Sequence, residues 1–239
     1  MARDRARPTD PTNAALLAGR YAYDGEVGRG SSGRAIALLD RGSERRIGKI
    51  LDAAAGARAM WELDALSSIE SPHVVRAIEL LRVLEPLPAP FAIPCGSWVL
   101  VQSRAEGELS SDVLAAIDDP ERRGARLREL ALGVARGLHA LHAAGLSHGD
   151  VKPDNVVAEG AHATLIDLGA AAPFGRAEAL SGTLAFMSAE AREGERSPAT
   201  DLYALGATLI VWSTGRPPAP EEPLELPGWV PQAVAHTAR

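Results

Sequence analysis

Residues 148–157 read HGDVKPDNVV, so two carboxylates, an ammonium group and a carboxamide lie within eight positions of one another. A surface turn could carry this set by chance, whereas a site that handles phosphate would require it. Transfer of a phosphoryl group needs a carboxylate that orients and deprotonates a hydroxyl, positive charge on the phosphates, and hard oxygen ligands for Mg²⁺. Asp150 can supply the first, Lys152 the second, and Asn155 with Asp167 the third.

The spacing of these residues predicts how they are held. Asn155 lies five residues after Asp150, and Asp167 lies twelve residues after Asn155. The strings NVV and ATLI between them predict a β-hairpin that carries Asn155 and Asp167 on its two flanks. These polar residues at these spacings, together with the hairpin, indicate a phosphate-handling site far more specifically than any one of them does alone.

A glycine-rich motif lies much earlier in the chain, where residues 28–33 read GRGSSG and match G-x-G-x-x-G. In a dinucleotide-binding fold this motif leads into a helix, but here RAIALLD follows, which is typical of a strand. A glycine-rich hairpin between strands can lay backbone N–H groups over phosphates. The motif alone is equally consistent with a plain hairpin turn.

A lysine and a glutamate follow at spacings that permit an ion pair. Lys49, in RRIGKIL, lies sixteen residues after Gly33, and Glu62 lies thirteen residues after Lys49 on a predicted helix. If that helix packs behind the sheet, Glu62 can fix the ammonium group where it meets α- and β-phosphate oxygens. The alternatives are an exposed strand lysine and a solvated glutamate.

The elements around these residues change character along the chain. From Tyr21 short β-like runs are interrupted by glycine, and apolar residues at helical spacing predict a helix within residues 52–69, ended by Pro72. AIELLRVL and SWVLVQSRA predict two more strands, separated by a proline-rich loop at 85–96. The shift to a helix-rich second half near residue 105 predicts two lobes joined by a hinge.

Helix-ending signals are clear in the second half. An apolar pattern at i, i+3 and i+4 predicts a helix that ends at Gly145. A second buried helix is predicted with Ser197 as its N-cap, Pro198 at its first position and Gly215 at its exit.

Composition limits the class of protein. The 239 residues are 46% hydrophobic and 23% charged, with a net charge of −6, which argues for a globular protein and against a nucleic-acid partner. The single cysteine, Cys95, excludes an internal disulfide framework and suits the reducing cytoplasm. The apolar patch at 14–18 is too short for a signal sequence, and the run near 205–212 is too short for a membrane span. We expect a soluble, cytoplasmic protein.

Together these features resemble the eukaryotic-type (Hanks-type) serine/threonine protein kinases found in bacteria, over roughly residues 21–230. The resemblance implies a bilobal α+β protein-kinase-like fold that binds ATP and Mg²⁺ between its lobes. The expected domains are a flexible lead-in at 1–20, an N-lobe of antiparallel sheet with one main helix at 21–105, and a mainly helical C-lobe at 106–239. The implied activity is transfer of the γ-phosphate of ATP to a serine or threonine hydroxyl of a protein.

Matched motif by motif, the resemblance assigns the binding of ATP to the following residues. The members of the glycine-rich loop are expected to cover the phosphates: Val27, Gly28, Gly30, Ser31 and Gly33. VLVQSRAEGE resembles the fifth strand and the hinge, so the backbones of Ser103 and Ala105 are expected to bond adenine, next to a gatekeeper at Gln102. Ala35 would form the roof over the adenine and Val157 its floor.

The catalytic roles are carried over in the same way. Lys49 matches the lysine that positions ATP, and Glu62 matches its helical partner. Asp150 and Lys152 match the base and the lysine of the catalytic loop, and Asn155 with Asp167 of DLG matches the metal ligands.

Two further motifs extend the match. GTLAFMSAE at 182–190 resembles the end of the activation segment, and Asp201 in DLYALG matches the aspartate that braces the catalytic loop. In this family a lysine at position 152 is typical of members that phosphorylate serine and threonine rather than tyrosine.

Several positions depart from the family pattern. Gly149 stands where the family has the arginine that contacts a phosphorylated activation loop, so we expect activity without an activating phosphate, with Ser181 as the sole expected phosphosite. SAE lacks the usual proline, which leaves the acceptor preference open. The C-lobe is expected to lack its usual last helices, and a regulatory partner would then cover the apolar surface.

Two alternatives remain beside an active protein kinase. The departures would also suit a pseudokinase that binds nucleotide as a scaffold. An aminoglycoside-type small-molecule phosphotransferase would share HGD, the asparagine and ID, but it would lack the glycine-rich motif, Lys152–Pro153 and the 182–190 segment.

Overall fold

The computed structural model describes residues 16–30, 33–41, 43–177, 181–218 and 226–230. Within them the chain divides into two compact units. The first unit consists of the described residues up to Asp64 together with Ala77–Arg104, and the second consists of Ala65–Arg76 together with the described residues from Ala105 onward. The division after Arg104 lies beside the predicted lobe boundary, whereas Ala65–Arg76 belongs with the second unit.

The first unit is built on a five-stranded antiparallel sheet with the order β1-β2-β3-β5-β4. Its strands are β1 (Ala22–Gly30), β2 (Gly33–Leu39), β3 (Arg45–Leu51), β4 (Ala77–Arg82) and β5 (Trp98–Ser103). The strands that AIELLRVL and SWVLVQSRA predict are confirmed, and they pair with each other as β4 and β5. β3 is the central strand, so both of its edges are hydrogen-bonded.

Helix α1 (Gly56–Ser67) confirms the helix predicted within residues 52–69. A single 3₁₀ turn (Ala53–Ala55) precedes it, and the side chain of Asp52 accepts hydrogen bonds from the backbone N–H groups of Ala54 and Ala55. A Cβ atom at Gly56 would lie 2.7 Å from the indole nitrogen of Trp98. Glycine at this position therefore lets the start of α1 approach β5 closely.

The 83–97 connection between β4 and β5 is part of the core of the first unit. The proline-rich loop prediction is confirmed in that this segment has no regular strand or helix, yet Phe91 and Ile93 are 0% and 1% exposed. The core comprises buried residues from the strands, this connection and the segment before β1: Leu17, Tyr21, Ile36, Leu38, Val83, Phe91, Ile93, Val99 and Val101.

The predicted flexible lead-in at 1–20 does not hold for its last residues; residues 1–15 lie outside those described. Leu17 is 3% exposed within the core. The guanidinium of Arg20 donates two hydrogen bonds, of 2.9 and 2.6 Å, to the carboxylate of Asp40 and a third to Glu79. This contact lowers the pKa of the Asp40 carboxyl. Within the described part of this segment, Arg20 is therefore paired with two carboxylates, and Leu17 is buried.

The second unit is mainly helical. Its helices are α2 (Ser110–Ala115), α3 (Pro120–Ala143), α4 (Ala189–Arg192) and α5 (Pro198–Thr214). Its short strands are β6 (Glu108–Leu109), β7 (Leu146–Ser147), β8 (Val156–Glu159), β9 (His162–Leu165), β10 (Ala172–Pro173), β11 (Gly175–Arg176) and β12 (Glu195–Arg196). They form a sheet of β6, β8 and β9 and the pairs β7–β10 and β11–β12.

The predicted helix ends of this unit are confirmed. Ser197 caps α5 in a capping box, Pro198 occupies its first turn, and Gly215 ends it with a left-handed φ of 78°. Gly145 lies just past the C-cap of α3. Within the described residues, no helix combines the length and the apolar character that a membrane crossing requires.

Candidate active site

The glycine-rich motif forms a hairpin between β1 and β2, in which Gly28 pairs with Ala35 and Gly30 with Gly33. A strand follows the motif, as predicted. Gly33 has a φ of 116°, and a Cβ atom there would lie 2.6 Å from the carbonyl oxygen of Ile50, so both conformation and space require glycine. Val27 is 55% exposed, and Ser31 lies outside the described residues.

Lys49 and Glu62 lie together in the first unit. The Nζ atom of Lys49 on β3 lies 3.9 Å from Oε1 of Glu62 on α1. Their side chains are 8% and 3% exposed, so the readings as an exposed lysine and a solvated glutamate are both wrong. A buried ammonium beside a buried carboxylate is held in one place, as an ammonium that positions phosphates must be.

The expected gatekeeper and first hinge residue lie at the end of β5. Gln102 is 5% exposed and pairs with Ile47 of β3 and Ala77 of β4. Ser103 is the last residue of β5, and Ala105 belongs to the second unit. The second unit also contains Val157, which lies on β8 and is half-buried.

The catalytic-loop residues converge on the carboxylate of Asp150, which is buried in the second unit. Its Oδ2 atom accepts hydrogen bonds from Lys152 Nζ at 2.8 Å and from Asn155 Nδ2 at 3.1 Å. Its Oδ1 atom is buried and accepts no hydrogen bond from the residues that the structure describes. One oxygen is therefore fixed by two donors, and the other retains its capacity to accept a proton.

The β-hairpin predicted from NVV and ATLI is confirmed as β8 and β9. Its two flanks are joined because the backbone N–H of Ile166 donates to the carbonyl oxygen of Asn155 at 2.9 Å. Asp167 follows with a left-handed φ of 55°, and its Oδ1 atom accepts a weak bond of 3.4 Å from Gly169 N–H. A non-glycine residue in this conformation is uncommon and often marks a functional position.

The side-chain oxygens on these flanks suit a divalent cation that prefers hard oxygen ligands. The amide nitrogen of Asn155 donates to Asp150, so the amide oxygen is its second functional atom, and Asp167 contributes a carboxylate. Mg²⁺ is typically held by one or two such protein oxygens, with phosphates and water completing its shell. The residues present therefore fit this ion.

Asp201 of α5 fixes the backbone of the catalytic loop. It is 1% exposed, and its two oxygens accept from Ser147 Oγ, His148 N and Gly149 N at 2.9–3.0 Å and contact His142 Nε2 at 2.8 Å. Burial raises the pKa of the Asp201 carboxyl, but the His142 contact, the nearby His148 and the backbone N–H groups outweigh it and lower the pKa. Asp201 braces the loop as the resemblance implied.

Sequence reasoning missed one residue that lies beside the loop. Arg196 of β12 is 2% exposed, and its Nη2 atom donates to the carbonyl oxygen of Ser181 at 2.7 Å. Arg196 lies between the segment-ending motif at 182–190 and Asp201, and it belongs to no motif with a chemical role. Only the tertiary structure reveals its position, because its partner belongs to a different part of the chain.

Comparison with known proteins agrees with this geometry. A family model described as protein kinase domain matches residues 21–226. The chain is 43% identical to a probable serine/threonine-protein kinase PkwA of Thermomonospora curvata, over 40% of this chain and 14% of that protein. It is 32% identical to the serine/threonine-protein kinase drp72 of Corynebacterium efficiens, over 66% of this chain and 30% of that protein.

A longer match, at 27% identity, links it to a probable serine/threonine-protein kinase PknB of Bifidobacterium longum, over 85% of this chain and 31% of that protein. The chain thus spans less than a third of the length of these relatives. The resemblance to bacterial kinases and the predicted α+β fold are confirmed. Since the family model covers most of its length, the chain belongs to the protein kinase domain family.

Proposed function

We propose that this protein is an ATP-dependent serine/threonine protein kinase. The observation that carries the proposal is the state of Asp150, whose Oδ2 atom is held by Lys152 and Asn155 while its buried Oδ1 accepts no hydrogen bond within the described chain. A base that must accept a proton from an incoming hydroxyl needs a fixed position and an available oxygen. Asp150 meets both conditions.

The groups around Asp150 have distinct roles in the proposed transfer. Asp150 orients the acceptor hydroxyl and takes its proton as the oxygen–phosphorus bond forms, while the bond from the γ-phosphorus to the bridging oxygen breaks and ADP leaves. Lys152, which also donates to Thr183 Oγ1 at 2.8 Å, offsets negative charge on the transferred phosphoryl group. Its presence supports serine or threonine of a protein as the acceptor.

In this proposal the phosphates of ATP are bound by the residues that match the phosphate-binding positions of the family. Lys49, fixed by Glu62, donates to phosphate oxygens, and the backbone of the glycine-rich loop lies over them. Asn155 and Asp167 would hold Mg²⁺, which would neutralise charge on the phosphates. The expected loop members are Val27, Gly28, Gly30, Ser31 and Gly33.

The adenine site is proposed on the family match. The backbones of Ser103 and Ala105 bond the base, and Ala35 and Val157 contact its two faces.

A cytoplasmic location is also proposed, because an exposed free thiol at Cys95 suits a reducing compartment that supplies ATP.

The proposal is tested with the full chain, Mg²⁺ and ATP labelled in the γ-phosphate, with casein as a protein acceptor and kanamycin as a small-molecule acceptor. The variants are Asp150→Asn and Asp167→Ala. Asp154→Asn is the matched control, because Asp154 is an exposed carboxylate of the same loop. We expect label on protein from the wild type and the control, and at least a hundredfold less from the two variants.

Other results would contradict the proposal in distinguishable ways. Label on kanamycin but not on protein would indicate a small-molecule phosphotransferase. Absence of any label, together with a rise in the unfolding temperature on addition of Mg²⁺ and ATP, would indicate a nucleotide-binding scaffold. Equal labelling by Asp150→Asn and wild type would show that Asp150 is not the base.

A further inference from the structure

The guanidinium of Arg196 lies against the catalytic loop at the residue that departs from the family pattern. A Cβ atom at Gly149 would lie 3.3 Å from Arg196 Nη1 and 2.7 Å from the carbonyl oxygen of Ala170. Gly149 also has a φ of 76°, which side-chain-bearing residues rarely adopt. A side chain at position 149 would therefore collide at its first carbon with the backbone of Ala170 and lie tightly against the guanidinium of Arg196.

The start of the 181–187 segment packs directly on the same loop residue. A Cβ atom at Gly182 would lie 2.5 Å from the carbonyl oxygen of Gly149, so the two backbones touch. On one side of this contact Arg196 donates to Ser181 O at 2.7 Å, and on the other Lys152 donates to Thr183 Oγ1 at 2.8 Å. Residues 181–183 are thus bonded on both sides of the glycine–glycine contact.

The bond from Arg196 has two properties that make it an effective anchor. It is charge-assisted, and the arginine is 2% exposed, so water competes little for its donors. Its acceptor is a backbone carbonyl, which is present whether or not Ser181 is modified. Arg196 is itself held at the end of β12, where it pairs with Gly175 of β11.

We infer that Arg196 is a positioning residue that holds the unphosphorylated 181–187 segment on the catalytic loop, in the place of the arginine that position 149 lacks. The contact keeps Thr183 at Lys152, and hence the loop around Asp150, in the arrangement seen here. Its consequence for phosphoryl transfer rests on the proposed function; its consequence for the order of the segment does not.

The test combines hydrogen–deuterium exchange with kinetics on phosphatase-treated full chain. Arg196→Gln removes the charge and shortens the side chain, and Arg196→Lys keeps the charge. Arg192→Gln is the matched control, because Arg192 also donates to a carbonyl of this segment, that of Leu184 at 3.2 Å, but from an exposed position.

We expect amides of residues 182–187 to exchange at least tenfold faster in Arg196→Gln, to exchange at an intermediate rate in Arg196→Lys, and to stay within twofold of wild type in Arg192→Gln. With Mg²⁺, ATP and casein, kcat should fall at least tenfold in Arg196→Gln while KM for ATP stays within twofold. Partial recovery of kcat in Arg196→Lys is expected.

Unchanged exchange in Arg196→Gln would overturn the inference whether or not the protein is a kinase. Faster exchange with an unchanged kcat would also overturn it, since the arrangement of the loop around Asp150 would then not depend on this anchor. Loss of the folded state in both Arg196 variants would show that the residue supports the whole fold rather than the segment. Faster exchange in a chain whose wild type transfers no phosphate would support the anchor and refute the proposed function.

Discussion

Lys49 and Glu62 face each other at 3.9 Å in the interior of the first unit, with side chains that are 8% and 3% exposed. Removal of one charge from a buried pair destabilises a protein strongly, because the other charge stays in a low-dielectric environment without its counter-charge. Replacement of both by apolar residues is often much less harmful. A comparison of single and double variants can therefore separate what the pair contributes to catalysis from what it contributes to stability.

We predict that Glu62→Leu lowers the free energy of unfolding by about 3–5 kcal/mol, and that Lys49→Met/Glu62→Leu recovers a large part of this loss. Both variants should lose phosphoryl transfer, because neither retains the fixed ammonium. Urea denaturation measures the first effect and the casein assay the second. Asp64→Asn, an exposed carboxylate on the same helix, should change stability by less than about 1 kcal/mol. Recovery of activity in the double variant would contradict the assigned role of Lys49.

Asp201 permits a second prediction, about the catalytic loop. Its replacement by alanine leaves the N–H groups of His148 and Gly149 and the hydroxyl of Ser147 without their acceptor. We expect Asp201→Ala to lose at least about 3 kcal/mol of stability and nearly all activity, since unsatisfied buried donors each cost about 1–3 kcal/mol. Ser147→Ala removes one donor only and should lose about 1 kcal/mol. Equal losses in the two variants would show that Asp201 does not brace the loop through its backbone.

The pH dependence of stability should report on His148, which is 0% exposed. Burial lowers its pKa below the ordinary 6.5, although Asp201, Asp150 and Asp167 oppose this. Its Nδ1 accepts a hydrogen bond from the backbone nitrogen of Asp150 at 3.3 Å, and its Nε2 lies 3.3 Å from the carbonyl oxygen of Ile166. The neutral tautomer that carries its proton on Nε2 satisfies both contacts.

Because the unfolded chain binds a proton that the folded chain excludes, stability should fall as the pH decreases below about 6.5, by at most about 1.4 kcal/mol per pH unit. The lowered pKa of Asp201 acts only below its ordinary value of 3.8, so its contribution is retained between pH 5 and 7. Thermal unfolding from pH 7.5 to 5 measures the slope. His148→Gln should reduce the slope, whereas His139→Gln, at an exposed position of α3, should leave it unchanged.

Local patterns predicted which polar side chains of the second unit lie close together. Asp150, Lys152 and Asn155 lie on one short loop, so their spacing in sequence is nearly their spacing in space, and the β-hairpin brings Asp167 to Asn155. The ends of α5 were predicted equally well, because a capping residue interacts with backbone groups within one helical turn of it. The Lys49–Glu62 pair needed one additional assumption, that α1 packs on the sheet.

Contacts between distant segments that match no motif could not be predicted. Arg196 meets Ser181 across 15 positions and lies against Gly149 in a different element, and nothing in its neighbours in sequence distinguishes it from a surface arginine. Leu17 lies at the end of a largely polar lead-in, which favoured a flexible segment, but it is buried among residues of the β-strands and of the 83–97 connection. Burial of such residues is a property of the assembled core rather than of any window of sequence.

The 83–97 connection provides the final prediction, because its role in the core is visible only in the structure. Phe91 is 0% exposed, meets the ring of Tyr23 edge-on at 5.6 Å, and its carbonyl oxygen accepts a hydrogen bond from Arg34 on β2 at 2.6 Å. Phe91→Ala should destabilise the protein by about 3–5 kcal/mol, the usual cost of a cavity of this size.

Leu84→Ala is the matched control, since Leu84 lies in the same connection but is 79% exposed, and it should change stability by no more than about 0.5 kcal/mol. Urea denaturation of both variants measures the difference. If Phe91→Ala were as stable as Leu84→Ala, the connection would be a surface loop that adds nothing to the core. If it were destabilised as expected, the 83–97 connection would be part of the framework that holds β2 and the glycine-rich hairpin, because Arg34 follows Gly33 directly.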